Sequence, residues 1–462
     1  MKFEDALFIY PEAPQGAPSY RYYPPLGLET VATAVQDCAI PVAIVDRRYD
    51  LNIAPYLKEN RQLVGISVNW DYEVLSLPQI LKDIPGRSEV ILGGRAATTH
   101  VEEIFRDNPS VSCIVRGDGE EIVRDIAMGK EYDEIEGISF RRNGSVIHNR
   151  TRDLQAMDDS LIVNRLLRKQ RYASEQFDIE LDFISTSRGC PYHCKFCNFS
   201  NNPLGQKRKW TGRSPESVIK ELESMKSPNV LITDDNFAVD MKRVEKICDL
   251  IIEKGIRKNI AAAVRIDISK YPAIVDKMYQ AGIKVLMIGF ESATNRVLEM
   301  ISKGFTTEEA IVAMKVIRRK NFYIHGYFII GNFTETREDM LKIIDYAGKL
   351  DLDTLDAIIL RTDKYSPIND IILDYPDYHI VASGPEMQIY SDNYSIQDLV
   401  GIRNEITRRY FTPGRIFRTF RRMLSLRVFG GVQLLKYVSH QINKSILPLF
   451  LKKDYTPEHN GR

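Results

Sequence analysis

A chain of 462 residues with a formal net charge of +1, 44% hydrophobic and 27% charged, has the make-up of a soluble globular protein of two or three domains. That charge balance gives no general electrostatic reason for nucleic-acid binding, and a chain this long needs no disulfide staples. No run of 18 uncharged apolar residues appears, and the opening MKFEDALFIYPEAP reads as a first β-strand rather than a signal peptide.

The first 130 residues alternate strand and helix patterns. Strands are predicted at 5–14, 41–50, 63–71, 89–100 and 110–121, each ending in a polar or Gly-rich loop. Helical periodicity lies between them in LETVATAVQDC and THVEEIFRDN. The pattern is a Rossmann-like, doubly wound parallel sheet over 1–130, whose ligand would sit at the C-terminal edge of the strands. Candidate residues there are Ser67 in GIS, Gly93 and Gly94 in LGG, and Gly117, Asp118 and Gly119 in RGDGEE. The glycines let the backbone come close to a ligand. PPLGLE is not the G-x-G-x-x-G of a nicotinamide site. A Rossmann-like domain that has no ligand, or that presents substrate, is the alternative. Residues 131–180 read as a polar connector carrying a hairpin, IEGISFRRNGSVIHN, with Asn143–Gly144 at its turn.

Residues 187–202 read SRGCPYHCKFCNFSNN, with Cys190, Cys194 and Cys197 spaced C-x3-C-x2-C. The remaining cysteines, Cys38, Cys113 and Cys248, are scattered singles in apolar contexts, the pattern of core thiols in a reducing cytoplasm. A zinc site needs a fourth ligand. His193 is too close in sequence to share one tetrahedral ion with these cysteines, and His100, His148, His325 and His379 are isolated. Three thiolates suit a [4Fe-4S] cluster with one iron left open to a substrate or cofactor, whereas a fourth cysteine would leave only an electron carrier.

CPYHCKFC, preceded by FISTSRG, resembles the signature of the radical S-adenosylmethionine (SAM) superfamily, C-x3-C-x-aromatic-C. The resemblance implies a cluster on Cys190, Cys194 and Cys197, with SAM chelated at the open iron and Phe196 near its adenine. It also implies reductive cleavage of SAM to a 5′-deoxyadenosyl radical, with the electron drawn from an external donor such as flavodoxin or ferredoxin.

A partial (β/α)6 TIM-like barrel is then expected over 181–375, and the patterning agrees. Strands are predicted at 182–187, 229–237, 260–267, 284–292, 321–332 and 355–360. Between them run helices, one with Ser214 as N-cap and Pro215 at its first position, another closed by Gly255. In such barrels the chemistry sits at the C-terminal strand ends. Gathered there are Asp234 and Asp235 after the second strand, Arg265 with Asp267 on the third, Glu291 and Ser292 after the fourth, and Gly331 and Glu335 after the fifth. IGFESATNRVLEMISKG resembles the family's fourth-strand segment, whose Glu position reaches the SAM ribose or nearby. GYFIIGNFTET resembles the fifth-strand segment that lines the adenine, with Asn332, Phe333 and Thr334 where many relatives have x-Pro-Gly. The family's Gly-Gly-Glu after the second strand is absent, which leaves Asp234 or Asp235 for the SAM amino group. The other reading is that these acids cap helices or pair with Arg265.

The glycine pattern of 1–130, with YYPPLGLETVA near its start, resembles the cobalamin-binding domain that precedes many radical SAM domains. The Asp-x-His-x-x-Gly of cobalamin domains is missing, which implies cobalamin held without a protein histidine on cobalt. Taken together the resemblance covers about residues 1–360. It implies a cobalamin-dependent C-methyltransferase acting on an unactivated carbon of a small-molecule or lipid-like substrate. A radical cyclase or oxidative enzyme without methyl transfer is the alternative, and a SAM- or cobalamin-binding sensor or electron carrier is the reading from another class.

Residues 376–462 are expected to form a helical basic region. From 401 to 453 there are twelve Lys or Arg and one acid, Glu405. These bases are either the solvated faces of helices packed on the barrel or a peripheral contact with an anionic membrane, which would make a cytoplasmic protein membrane-associated. No nucleic-acid-binding module accompanies them. The Asp-, Tyr- and Pro-rich stretch 365–394 is expected to close the barrel bottom or the substrate mouth.

Overall fold

Alternating runs of Val, Ile and Leu become two parallel sheets in two separate units. The computed structural model describes residues 2–13, 21–174, 179–197, 201–363, 366–383 and 386–427, together with 436 and 439. One unit comprises Met1–Tyr172 and Asn201–Arg208, the other Ala173–Ser200 and Lys209–Asn460.

In the first unit, β1 (Asp5–Tyr10), β2 (Val42–Asp46), β3 (Gln62–Ser67), β4 (Glu89–Gly93) and β5 (Val111–Val115) lie in the order β2-β1-β3-β4-β5, all parallel. This is a doubly wound arrangement with its switch point between β1 and β3. Both faces are covered, as parallel sheets require. Phe8, Ile44, Leu63 and Ile91 are buried on one side, and Leu7, Ile9, Val64 and Leu92 on the other. Cys113 is buried among the former, and Cys248 lies in the core of the second unit. The hairpin assigned to the connector is part of this sheet. β6 (Ile138–Arg142) pairs antiparallel with β5, and β7 (Ser145–His148) with β6. Asn143 and Gly144 turn it with φ of 49° and 83°, the two positive values that a tight hairpin turn needs. Pairing to β5 draws the hairpin into the first unit, which therefore runs past residue 130 to Tyr172.

The second unit opens on β8 (Asp182–Ile184), followed by the short antiparallel pair β9 (Ser187–Arg188) and β10 (Thr211–Gly212). Then come β11 (Asn229–Ile232), β12 (Asn259–Val264), β13 (Ile283–Glu291), β14 (Tyr323–Ile330) and β15 (Thr354–Ile359). The order β15-β14-β13-β12-β11-β8, all parallel, is that of the expected six-stranded partial barrel. One face of each strand meets the helices in a single core holding Ile184, Val230, Ala262, Leu286, Phe290, Ile324 and Phe328. The helix Pro215–Ser224 begins as the sequence predicts, with the Ser214 side chain accepting from the Ser217 amide.

The expected all-helical region after residue 376 is corrected. β16 (Arg361–Thr362), β17 (Tyr378–Ser383) and β18 (Glu386–Ser391) form an antiparallel sheet in the order β16-β18-β17. Its β-branched and aromatic residues, YHIV and QIY, suit a pleated sheet better than a helix. Helices Ile396–Tyr410 and Pro413–Leu426 follow. The second is docked by charge: Arg422 reaches Asp353 at 2.6 Å and Asp351 at 3.2 Å, and Thr419 donates to the Asp353 carbonyl. As far as residue 427 the basic stretch is therefore packed against the barrel. The remainder of the basic tail, for which membrane contact is the alternative reading, lies outside the described residues, apart from 436 and 439. No helix among the described residues is long and apolar enough to cross a membrane.

Candidate functional site

The three cysteines leave β9 at the C-terminal end of the second unit's sheet, and the loop that carries them is held at its root by buried polar groups. Asp234, just past β11, accepts hydrogen bonds from the Thr186 amide at 2.6 Å, the Thr186 hydroxyl at 2.5 Å and the Ser187 hydroxyl at 2.6 Å. Burial pushes its carboxyl above the ordinary range, and these donors work against that shift. Asp235 accepts from the Gly189 amide at 2.9 Å, one residue before Cys190. Arg243 donates to the carbonyls of Thr186 and Arg213 at 2.7 Å each. Asp234, a candidate for the SAM amino group, is thus engaged elsewhere: it ties the first strand's exit to the second strand's.

Cys194 is buried, and Arg265 points a guanidinium nitrogen at its sulfur from 3.8 Å. The same guanidinium donates to Asp267 and to the Lys303 carbonyl, and lies 3.8 Å from the Tyr192 ring centroid. Burial raises the Cys190 thiol, with Arg265 working against that shift, and a bound metal would overcome it. Among the described residues, no three His, Cys, Asp or Glu side chains converge on one ion. A cubane takes each thiolate on a separate iron, and three cysteines on one loop are such a donor set.

Phe196 is half-buried between two apolar patches, one containing Ile329 and Phe333, the other Val297, Leu298 and Ile301. Glu291 ends β13 at a register shift, with φ of 65°, and pairs with Lys303 at 2.8 Å, both side chains being buried. A Cβ at Gly289 would sit 2.1 Å from Glu291 Oε1, so the glycine makes room for this ion pair. A bulge at a strand's functional end re-aims a side chain, here Glu291.

The loop after β14 keeps its turn despite the substituted sequence. Gly331 has φ of 77°, and Thr334 has φ of 60°. That is an unfavourable conformation for a β-branched residue. It is held by the Tyr378 hydroxyl, 2.7 Å from the Thr334 amide, and by Arg296, which donates to the Thr334 carbonyl. Phe333 is buried and stacks on Tyr375. The 365–394 stretch therefore packs at the mouth of the sheet, not at its bottom. Asn332 Oδ1 is buried without a donor, an acceptor that a ligand such as adenine could satisfy.

Glu335 lies behind this loop. It accepts from the Asn332 amide at 3.1 Å and from Ser292 at 3.4 Å, and burial pushes its carboxyl up to about 7. The folded chain then keeps a proton that the unfolded chain releases near the ordinary pKa of 4.5. Its contribution to stability is greatest below that value, falls as pH rises to about 7, and is level above. We expect Glu335→Gln to lessen the drop in thermal midpoint between pH 5 and pH 8. An unchanged drop would mean that Glu335 titrates normally.

In the first unit all six candidate residues meet at one edge. Ser67 is in register with Gly93, and Gly117, Asp118 and Gly119 follow β5 next door. A Cβ at Gly94 would sit 2.4 Å from the Val68 carbonyl oxygen, so backbone packing explains that glycine. At Gly93 a Cβ would make only ordinary contacts, the nearest at 3.8 Å from Val115. Among the described residues nothing crowds a side chain at Gly93, so the edge is open there.

The Radical SAM superfamily model matches residues 184–347. An uncharacterized methyltransferase of Pyrococcus horikoshii is 32% identical over 76% of this chain and 80% of its own length. The chain belongs to the radical SAM superfamily. An anaerobic magnesium-protoporphyrin IX monomethyl ester cyclase of Cereibacter sphaeroides is 23% identical over 63% of this radical SAM chain, which spans half of that relative. The radical SAM methyltransferase TsrM of Kitasatospora setae, solved with cobalamin and a [4Fe-4S] cluster bound, shares the fold with a TM-score of 0.72 at 15% identity. That match covers 96% of this chain and 99% of TsrM.

Sequence reading missed Lys303 as the partner of Glu291. A lysine twelve residues downstream in a loop carries no local signal, and only the folded distance identifies it. The anchoring roles of Arg243 and Tyr378 were missed for the same reason.

Proposed function

We propose that this chain is a cobalamin-dependent radical SAM methyltransferase that methylates an unactivated carbon of a small molecule. The observation that carries the reading is the coexistence of two sites in one chain. One is a three-thiol loop at the strand ends of a partial barrel; the other is an open glycine edge on a doubly wound sheet. The likeness to TsrM along nearly the whole chain and the methyltransferase relative at 32% identity support it.

Cys190, Cys194 and Cys197 would hold the cluster, and Ser67, Gly93, Gly94 and the Gly117–Gly119 turn would line the cobalamin edge. When bound, the cluster with SAM supplies a 5′-deoxyadenosyl radical, and cobalamin supplies the methyl group. The chain's own residues position and shield. Arg265 faces the Cys194 sulfur. Asp235 fixes Gly189 and hence the direction of the loop. Glu291 with Lys303, the Asn332 acceptor and the Gly331 backbone shape the SAM side, with Phe196 against them. The electron comes from a donor of the flavodoxin or ferredoxin type.

The test is anaerobic reconstitution of the full chain with iron, sulfide and hydroxocobalamin, followed by desalting. About one cobalamin retained per chain, without a histidine-ligated spectrum, is expected. With substrate and reductant, SAM should yield both 5′-deoxyadenosine and S-adenosylhomocysteine. 5′-Deoxyadenosine alone would replace methyl transfer with the cyclase or oxidative reading.

A further inference from the structure

Eight residues that follow the cysteine loop belong to the other unit. Asn201–Arg208 packs with Met1–Tyr172, although only three residues separate Asn201 from Cys197. The strap has a shape of its own. Asn202 is buried, and its Oδ1 accepts from the amides of Leu204 at 3.0 Å and Gln206 at 2.9 Å. Its Nδ2 donates to Gln206 Oε1, its amide donates to the Gln206 carbonyl, and Asn201 bridges to Lys207. A loop that satisfies its own polar groups this fully is a formed element.

Two polar contacts fasten it. Arg208 pairs with Asp118 at 2.5 Å, its side chain 13% exposed, and Gln206 donates to the Arg152 carbonyl at 3.1 Å. Leu204 lies over Gly117: its Cδ1 is 3.5 Å from the place a Cβ would take, and Asn202 Nδ2 is 3.8 Å from the same point. Gly117 has φ of 89°. The strap therefore grips the turn after β5, one of the two glycine loops at the ligand edge. Leu204 is half-buried, an apolar side chain left partly open beside that turn.

We propose that the strap Asn202–Arg208 is one wall of the cobalamin site, with Leu204 presenting apolar surface to the ligand and Arg208, acting through Asp118, setting the Gly117–Gly119 turn. This rests on the cobalamin reading above. Leu204 is a binding residue and Arg208 a positioning residue. One stretch of chain then supplies a cluster ligand and, a few residues on, a boundary of the second cofactor's site.

The strap carries two consecutive tryptic sites, Lys207 and Arg208, and Lys207 is exposed. Full-length protein reconstituted with iron and sulfide is digested briefly with trypsin, with and without hydroxocobalamin, and cleavage at each site is followed by mass spectrometry. Bound hydroxocobalamin should slow cleavage at these two positions at least about tenfold and leave sites in the second unit unchanged. In parallel, Arg208→Ala should bind hydroxocobalamin about tenfold more weakly with iron content and circular dichroism unaltered, the loss expected for one charge-assisted bond. Arg208→Lys should recover part of the loss. Asp118→Asn should match Arg208→Ala, and the double variant should be no worse than either. If wild type retains hydroxocobalamin while strap cleavage is unprotected and Arg208→Ala binds it equally well, the strap is not a wall of the site. If wild type retains none, the cobalamin reading itself fails, and this inference with it.

Discussion

Cys194→Ala is expected to abolish reductive SAM cleavage, lowering 5′-deoxyadenosine formation by at least about a hundredfold, while the first unit stays folded. Cys194 is the buried member of the three thiols, and the Arg265 guanidinium faces its sulfur. Removing the sulfur would leave a second iron without a protein ligand and leave Arg265 without the sulfur it faces. The remaining thiols cannot compensate, because a cubane needs each of them on its own iron. The loop should survive, since its root is held by Asp234, Asp235 and Arg243 rather than by the cysteines. The measurements are iron and sulfide per chain and 5′-deoxyadenosine after dithionite reduction, with circular dichroism as the control for folding. Cleavage persisting near the wild-type rate would mean that the cluster is held elsewhere.

Lys303→Met should be the most destabilising single change near the site. Lys303 and Glu291 are each about 5% exposed and meet at 2.8 Å, and Lys303 Nζ also lies 5.6 Å from the Phe196 ring centroid. Removing one partner leaves a buried charge with no counter-ion, a cost of about 3–5 kcal/mol. For a unit of this size that is a fall of about 10 °C in its thermal midpoint. Replacing both, as Glu291→Gln with Lys303→Met, should recover most of the stability, because a buried pair contributes little net energy even though half a pair costs much. Calorimetry on the single and the double variant reads this directly. A double variant as unstable as the single would show that the side chains' packing matters more than their charges. SAM cleavage should not return in the double variant if the carboxylate of Glu291 faces the cofactor.

The cysteine spacing, the alternation of strand and helix, the capping residues Ser214 and Gly255 and the glycine-rich strand ends were all legible, because each is a local pattern with a local cause. Helix periodicity and caps act within a few residues, and C-x3-C-x2-C is short enough to place three thiols on one loop whatever surrounds it. The positions of the candidate acids at strand ends were legible too, since they follow from counting strands. Their partners were not. Asp234 lies 47 and 48 residues from the groups it holds, and Arg265 lies 71 from Cys194. Which carboxylate anchors a loop and which remains for a ligand depends on strand order and register, and neither is written in a charge pattern. The hairpin of 138–148 and the strand pair of 378–391 were misplaced or unseen because joining a sheet is a choice of neighbour. The strap Asn201–Arg208 is the sharpest case. By itself the sequence determined that three thiols sit just before it. Only the tertiary structure decided that it folds back onto the other unit, because the Asp118 carboxylate and the open side of Gly117 that receive it come from a different sheet, about 90 residues earlier in the chain.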